Sequence, residues 1–252
     1  MEALLEAEEL TKIFQRDGRE PVTALDRVSF RLYPGEALGV VGESGSGKST
    51  LARAVTRLMD VTAGAVRLEG QDITRLRGRA LRDIRWKTQM VFQDPAGSFD
   101  PRRTLGDSVG ESLRSRGRSR REAAAGAAAL LAQCGLPPEL SGRYPHQVSG
   151  GQCQRAAIAR ALAAGPRVLI CDEATSSLDA TVQAQIMALL RALREERGLA
   201  CLFIIHDLAL AQSFCSHLLV MEDGHVAEEG SADQVIAHPR SACARRLVDA
   251  AL

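Results

Sequence analysis

The chain has 252 residues, 32 lysines and arginines against 31 acidic residues, a formal net charge of +1, and 45% hydrophobic but only 4% aromatic residues. This composition excludes a disordered or collagen-like chain and leaves room for one large domain or two small ones. The even charge gives no global drive toward nucleic acid or anionic lipid, so such a partner would need a local patch.

The first ten residues, MEALLEAEEL, are acidic and carry neither the basic region nor the apolar stretch of a secretory signal. Residues 24–38 alternate apolar and polar side chains around Pro34-Gly35, which predicts a β-hairpin feeding a strand over 37–41. A glycine-rich turn comes next, then helical spacing over 51–59, so the local order is strand, loop, helix.

That turn reads Gly42-Glu43-Ser44-Gly45-Ser46-Gly47-Lys48-Ser49-Thr50 and matches G-x-x-x-x-G-K-[ST] in the required place. Glycines let backbone N–H groups close around phosphate oxygens, and the helix N-terminus adds partial positive charge. Lys48 would reach the β- and γ-phosphates of a nucleotide, and Ser49 would ligate Mg²⁺.

From 102 to 142 the character changes. Arginines are dense (Arg102, Arg103, Arg114, Arg116, Arg118, Arg120, Arg121), and 122–134 is an alanine-rich helical stretch, which predicts a helical insertion. The basic cluster lacks the interleaved aromatics of a base-stacking platform, so no nucleic acid is expected there.

Ser149-Gly150-Gly151-Gln152 then precedes a helix over 152–163, offering an N-cap serine and exposed amides: a plain helix cap or a second small anion site. Strands are predicted over 168–171, 201–205 and 218–221, with helices over 182–194 and 208–214. Apolar strands alternating with helices indicate a parallel sheet covered on both faces. The longest strongly apolar run, Ala200 to Ile205, is far shorter than the roughly 18 to 20 residues of a membrane-spanning helix.

The strand over 168–171 ends in Asp172-Glu173. Adjacent carboxylates at a strand end are commonly a solvated pair. Beside a phosphate loop, and at the C-terminal edge of a parallel sheet, Asp172 is placed to hold the Mg²⁺ shell and Glu173 to face an attacking water. His206 follows the next strand, where it could hydrogen-bond a γ-phosphate or that water, although a lone histidine at a strand end is usually a surface or packing residue. The six cysteines (Cys134, Cys153, Cys171, Cys201, Cys215, Cys243) contain no Cys-x-x-Cys pair; a reducing, cytosolic compartment is expected, with the thiols as small buried hydrophobes.

After the phosphate loop come, in order, Val91-Phe92-Gln93, the VSGGQCQR stretch from Val148 to Arg155, Asp172-Glu173, Ser176-Ser177-Leu178-Asp179 and His206-Asp207. With this order the chain resembles the ABC ATPase family over essentially its whole length. The resemblance implies an α/β fold: a P-loop ATPase core with a parallel sheet, an N-terminal antiparallel β subdomain and an inserted helical subdomain. Residues 1–93 and 149–226 would form the core, 94–148 the helical part and 227–252 a C-terminal tail.

The resemblance also implies ATP and Mg²⁺ as cofactors, and a second, identical or homologous ATPase subunit docked head to tail. Ser149, Gly150, Gly151 and Gln152 would then cover the partner's nucleotide. Glu173 would be the general base, Gln93 a sensor of Mg²⁺ and water, Asp172 an outer Mg²⁺ ligand and His206 the γ-phosphate contact. Asp179 would couple the two sites, and Phe14 is a candidate to stack on adenine or a buried strand residue.

Membrane permease subunits would supply the spanning segments, placing the chain at the cytoplasmic face of the inner membrane, with an extracytoplasmic solute-binding protein as an indirect partner. The segments Gly39 to Gly47, Val91-Phe92-Gln93-Asp94-Pro95, Asp100-Pro101-Arg102 and His238-Pro239 are most similar to the peptide and nickel importers. The alternative is an ATPase of a soluble enzyme complex, such as one of phosphonate breakdown. Cys171, Cys153 and Ala96-Gly97 depart from the usual pattern, the last where a permease contact is expected.

Overall fold

The structure, a computed structural model, describes residues 2–16, 18–175 and 178–251; Ser176 and Ser177 of the motif after Glu173 lie outside the described residues. The chain opens with β1 (Leu5–Arg16) and β2 (Arg19–Leu32), paired antiparallel from Leu5 opposite Leu32 to Arg16 opposite Arg19. Tyr33 to Glu36 then turn the chain into β3 (Ala37–Gly42), which leaves for a second sheet. The expectation of one hairpin over 24–38 is therefore corrected. The Pro-Gly turn is present, yet β2 and β3 are not partners; β3 is buried at every residue and needs covered neighbours on both faces, which a hairpin partner with an exposed face does not provide.

Helix α1 (Lys48–Val55) follows the glycine loop, starting three residues before the apolar spacing begins. Strands β4 (Ala63–Leu68) and β5 (Gln71–Asp72) complete an antiparallel sheet in the order β2-β1-β4-β5. Helix α2 (Gly78–Lys87) leads into β6 (Thr88–Val91). The insertion supplies α3 (Leu105–Ser115) and α4 (Arg120–Gln133), which pack on each other and on α5 (Gly150–Ala163). Their starts are set by side-chain caps: Thr104 accepts from Asp107 N–H, and Ser119 and Glu122 form a reciprocal box.

The rest alternates: β7 (Val168–Asp172), α6 (Ala180–Arg197), β8 (Ala200–Ile204), α7 (Leu208–Phe214) and β9 (His217–Glu222). Then β10 (His225–Ser231) folds back antiparallel on β9 before α8 (Ala232–Ala237) and α9 (Ala242–Ala251). The second sheet runs β10-β9-β3-β8-β7-β6, parallel except at β10.

Two apolar layers hold this arrangement. On one face Phe203, Ile158, Ile186 and Leu190 join the sheet to the helices, with Phe203 edge-on to Phe214 at 4.9 Å between ring centroids. On the other, Leu38, Val40, Ile170 and Leu202 meet α1 and the antiparallel sheet. With both faces covered, the open place on the parallel sheet is its C-terminal edge. All six cysteines are free and buried, as their reading as small hydrophobes requires. Among the described residues no helix is long and apolar enough to cross a membrane.

Candidate active site

Four parallel strands deliver the chemistry-bearing residues to that one edge: β3 ends in the glycine loop, β6 runs into Gln93, β7 ends at Asp172 and β8 leads to His206. The loop between β3 and α1 can be made only with glycine at its ends. A Cβ on Gly42 would lie 2.2 Å from Met221 O, and one on Gly47, at φ 100°, would lie 2.4 Å from Ala24 O. Gly45, also left-handed at φ 84°, faces open space, so a phosphate can approach its backbone closely.

The Lys48 ammonium donates to Gly42 O at 2.8 Å, Glu43 O at 2.7 Å and Ser46 Oγ at 3.3 Å, which seats it within the loop. Burial pushes its pKa down, opposed by the charges of Glu173 and Asp172. Ser49 Oγ donates to Asp172 Oδ1 at 3.0 Å. The Asp172 carboxyl, 2% exposed as a residue, is raised above the usual carboxylate range by burial; the Ser49 hydrogen bond opposes this and the neighbouring Glu173 charge adds to it.

Glu173 stands where β7 has ended, with a left-handed backbone (φ 51°) that a non-glycine residue adopts only under local strain. From there its carboxylate meets Gln93 and His206. Gln93 Nε2 donates to Glu173 Oε2 at 2.6 Å, and His206 Nε2 is hydrogen-bonded to Glu173 Oε1. A cavity of about 260 Å³ brings these three together with Ser44, Gly45, Gly47, Lys48, Ser49 and Thr50. Ala24, which the sequence did not mark, also lines it; its contribution is a backbone wall behind Gly47, and no chemical signal announces it.

The other expected residues lie outside this cavity. Ser149 caps α5: Gln152 N–H donates to Ser149 Oγ at 3.3 Å, and Ser149 N–H donates to Gln152 Oε1 at 2.9 Å. Ser149 and Gly150 are exposed, and Gly151 and Gln152 half-buried. Asp179 caps α6 by accepting from Val182 N–H at 3.0 Å. Phe14 is half-buried on β1, opposite Val22, with the Lys12 ammonium 5.1 Å above its ring.

The family profile described as "ABC transporter" matches residues 25–176, more than half of the chain. The chain belongs to the ABC transporter family. This ABC cassette is 45% identical over 229 residues to the oligopeptide transport ATP-binding protein OppF of Salmonella typhimurium, covering 90% of the chain and 69% of OppF. With OppF of Escherichia coli the identity is 44%, over 98% of the chain and 77% of the relative. The glutathione import ATP-binding protein GsiA of Pectobacterium atrosepticum is 46% identical over 91% of the chain, which spans only 37% of GsiA.

Among solved structures, the cassette superposes on the dimeric ATP-binding cassette MJ0796 bound to ADP and Pi with a TM-score of 0.86 and 32% identity, covering 90% of this chain and 98% of that one. It also matches cbiO1 of Clostridium perfringens, with a TM-score of 0.80, 27% identity and coverage of 94% and 92%. As a member of this family the cassette is an ATPase.

Proposed function

We propose that this ABC cassette binds ATP with Mg²⁺ and powers the import of a peptide-class solute through separate permease subunits, at the cytoplasmic face of the membrane. The observation that carries the catalytic part is the convergence of Gln93 and His206 on the two oxygens of Glu173, beside Lys48 and Ser49. The solute class is supported by the oligopeptide and glutathione import proteins it is similar to, which favour peptide over nickel.

The donor set suits a hard cation: the Ser49 hydroxyl, the Asp172 carboxylate beside it and the Gln93 amide. Neutralising charge on the β- and γ-phosphates is the chemistry this ion supplies when bound. The Lys48 side chain and the N–H groups of Gly45, Gly47, Lys48 and Ser49 hold the phosphates. Glu173, oriented by Gln93 and His206, accepts the proton of the attacking water, and His206 contacts the γ-phosphate. Phe14 would stack on adenine from β1.

The helix end formed by Ser149, Gly150, Gly151 and Gln152 covers a nucleotide held by a second ATPase subunit, identical or homologous, with Gly150 and Gly151 presenting their amides and Asp179 coupling the two sites. The helical part, 94–148, is the surface offered to the permease, and a solute-binding protein outside the membrane delivers the cargo. Two measurements test this. ATP hydrolysis by the isolated chain should rise more steeply than linearly with its own concentration; a strictly proportional rate overturns the paired site. The binding protein encoded beside it should retain peptides on purification; a binding protein that retains only metal ions overturns the solute class.

A further inference from the structure

A guanidinium reaches the phosphate loop from the far end of the chain. Arg246 on α9 donates through Nε to Glu43 Oε1 at 3.0 Å and through Nη2 to Glu222 Oε1 at 2.6 Å, joining partners 203 and 24 positions away. The helix that carries it is firmly seated. Cys243 and Ala244 are buried, and just ahead of them the buried Glu228 carboxylate accepts the backbone N–H groups of Arg240 and Ser241 at 2.7 to 3.1 Å.

The place where Arg246 lands already supports the loop. Gly224 N–H, in the turn between β9 and β10, donates to Ser46 O at 3.1 Å, and Met221 O lies against Gly42. Glu43 itself is part of the cradle: its carbonyl accepts from Lys48 Nζ at 2.7 Å and from Ser46 N–H at 3.2 Å. The residue whose backbone seats the phosphate-binding lysine thus carries a carboxylate, and a polyphosphate approaching the loop would be repelled by it. Arg246 offsets that charge and Glu222's with one planar group.

We propose that Arg246 is a positioning residue for nucleotide binding: by neutralising Glu43 and Glu222 and tying the phosphate loop to the β9–β10 turn, it makes affinity for nucleoside polyphosphates depend on the docking of α9. None of the phosphate-binding motifs contains it, and it stays outside the cavity where the reaction occurs.

The test is Arg246→Gln in the full chain, with ADP dissociation constants from calorimetry and steady-state ATPase kinetics beside them. Arg246 is half exposed, so the variant should fold, which its melting temperature checks. ADP binding should weaken about five-fold at low salt, the scale of an exposed ion pair, with KM rising in step and kcat nearly unchanged. Arg246→Lys should keep most of the affinity, and adding Glu43→Gln to Arg246→Gln should recover much of it. At about 1 M salt the deficit should shrink as screening removes the repulsion. Wild-type ADP affinity in Arg246→Gln at low salt would overturn the proposal. So would a deficit indifferent to salt, to Arg246→Lys and to Glu43→Gln, because that pattern belongs to lost packing.

Discussion

Glu173→Gln separates the chemistry of the site from its architecture. The amide has the length and shape of the carboxylate, and the left-handed backbone at φ 51° is as strained for glutamine as for glutamate. The fold should therefore survive, whereas proton acceptance should not. Both carboxylate oxygens are engaged, one by Gln93 Nε2 at 2.6 Å and the other by His206 Nε2. An amide can accept at only one of these positions, so one hydrogen bond to a charged acceptor, worth about 1.5–3 kcal/mol, is lost or reversed. Removing a positioned proton acceptor lowers kcat by about 10²–10⁴, or roughly 2.7–5.4 kcal/mol of barrier. Nucleotide affinity should change far less, since the Lys48 ammonium donates its hydrogen bonds to Gly42 O, Glu43 O and Ser46 Oγ. Single-turnover ATP hydrolysis, nucleotide binding and size-exclusion with ATP measure these separately. Turnover close to wild type would refute the assignment of Glu173 as base.

Three further outcomes are expected. Gly47→Ala places a Cβ 2.4 Å from Ala24 O at φ 100°, a strain of about 1–3 kcal/mol, and should lower the urea midpoint and abolish nucleotide binding; an unchanged midpoint would count against the loop geometry. Ser149→Ala removes the acceptor for Gln152 N–H at a cost of about 1 kcal/mol, and should reduce hydrolysis at high protein concentration beyond that loss; equal hydrolysis would dismiss the role of this helix end. Burial pushes the thiols of Cys134, Cys201 and Cys215 up to about 12 from 9.0. The unfolded chain ionises first, so their contribution is intact below pH 9 and falls as pH rises toward 12, by about 1.4 kcal/mol per pH unit for each thiol. Urea midpoints on either side of pH 9 check the sign, and a flat profile would refute it.

The strand, glycine loop and helix around Lys48 could be read directly because each signal is local: a wholly buried strand is an apolar block, and the glycines are dictated by contacts within the turn and its immediate wall. The blocks at β7, β8 and β9 were equally plain, since a parallel sheet covered on both faces leaves no alternation to interpret. Pairing was a different matter. Residues 24–38 announce a turn, but which sheet each flank joins depends on partners outside the stretch: β2 pairs with β1 just before it, whereas β3 pairs with β8 and β9 far along the chain. In the site, Glu173, Gln93 and His206 were identified by motif order, while their convergence depends on a backbone twist at Glu173 that no residue type advertises. Arg246 had no local signal at all: its partner Glu43 is 203 positions away.

At the head of α5, Ser149 and Gln152 satisfy each other's backbone amides, so this helix end takes its shape within a single chain. A surface finished in this way does not have to fold when a partner arrives or unfold when it leaves. Ordering a loop on contact would cost about 1–2 kcal/mol per residue in backbone entropy, and a preformed helix end avoids that toll in each encounter. What must be moved instead is water from the exposed Ser149 and Gly150. The docking proposed for this end is therefore suited to being made and undone many times, with its strength set by the charge that sits opposite the amides of Gly150 and Gly151.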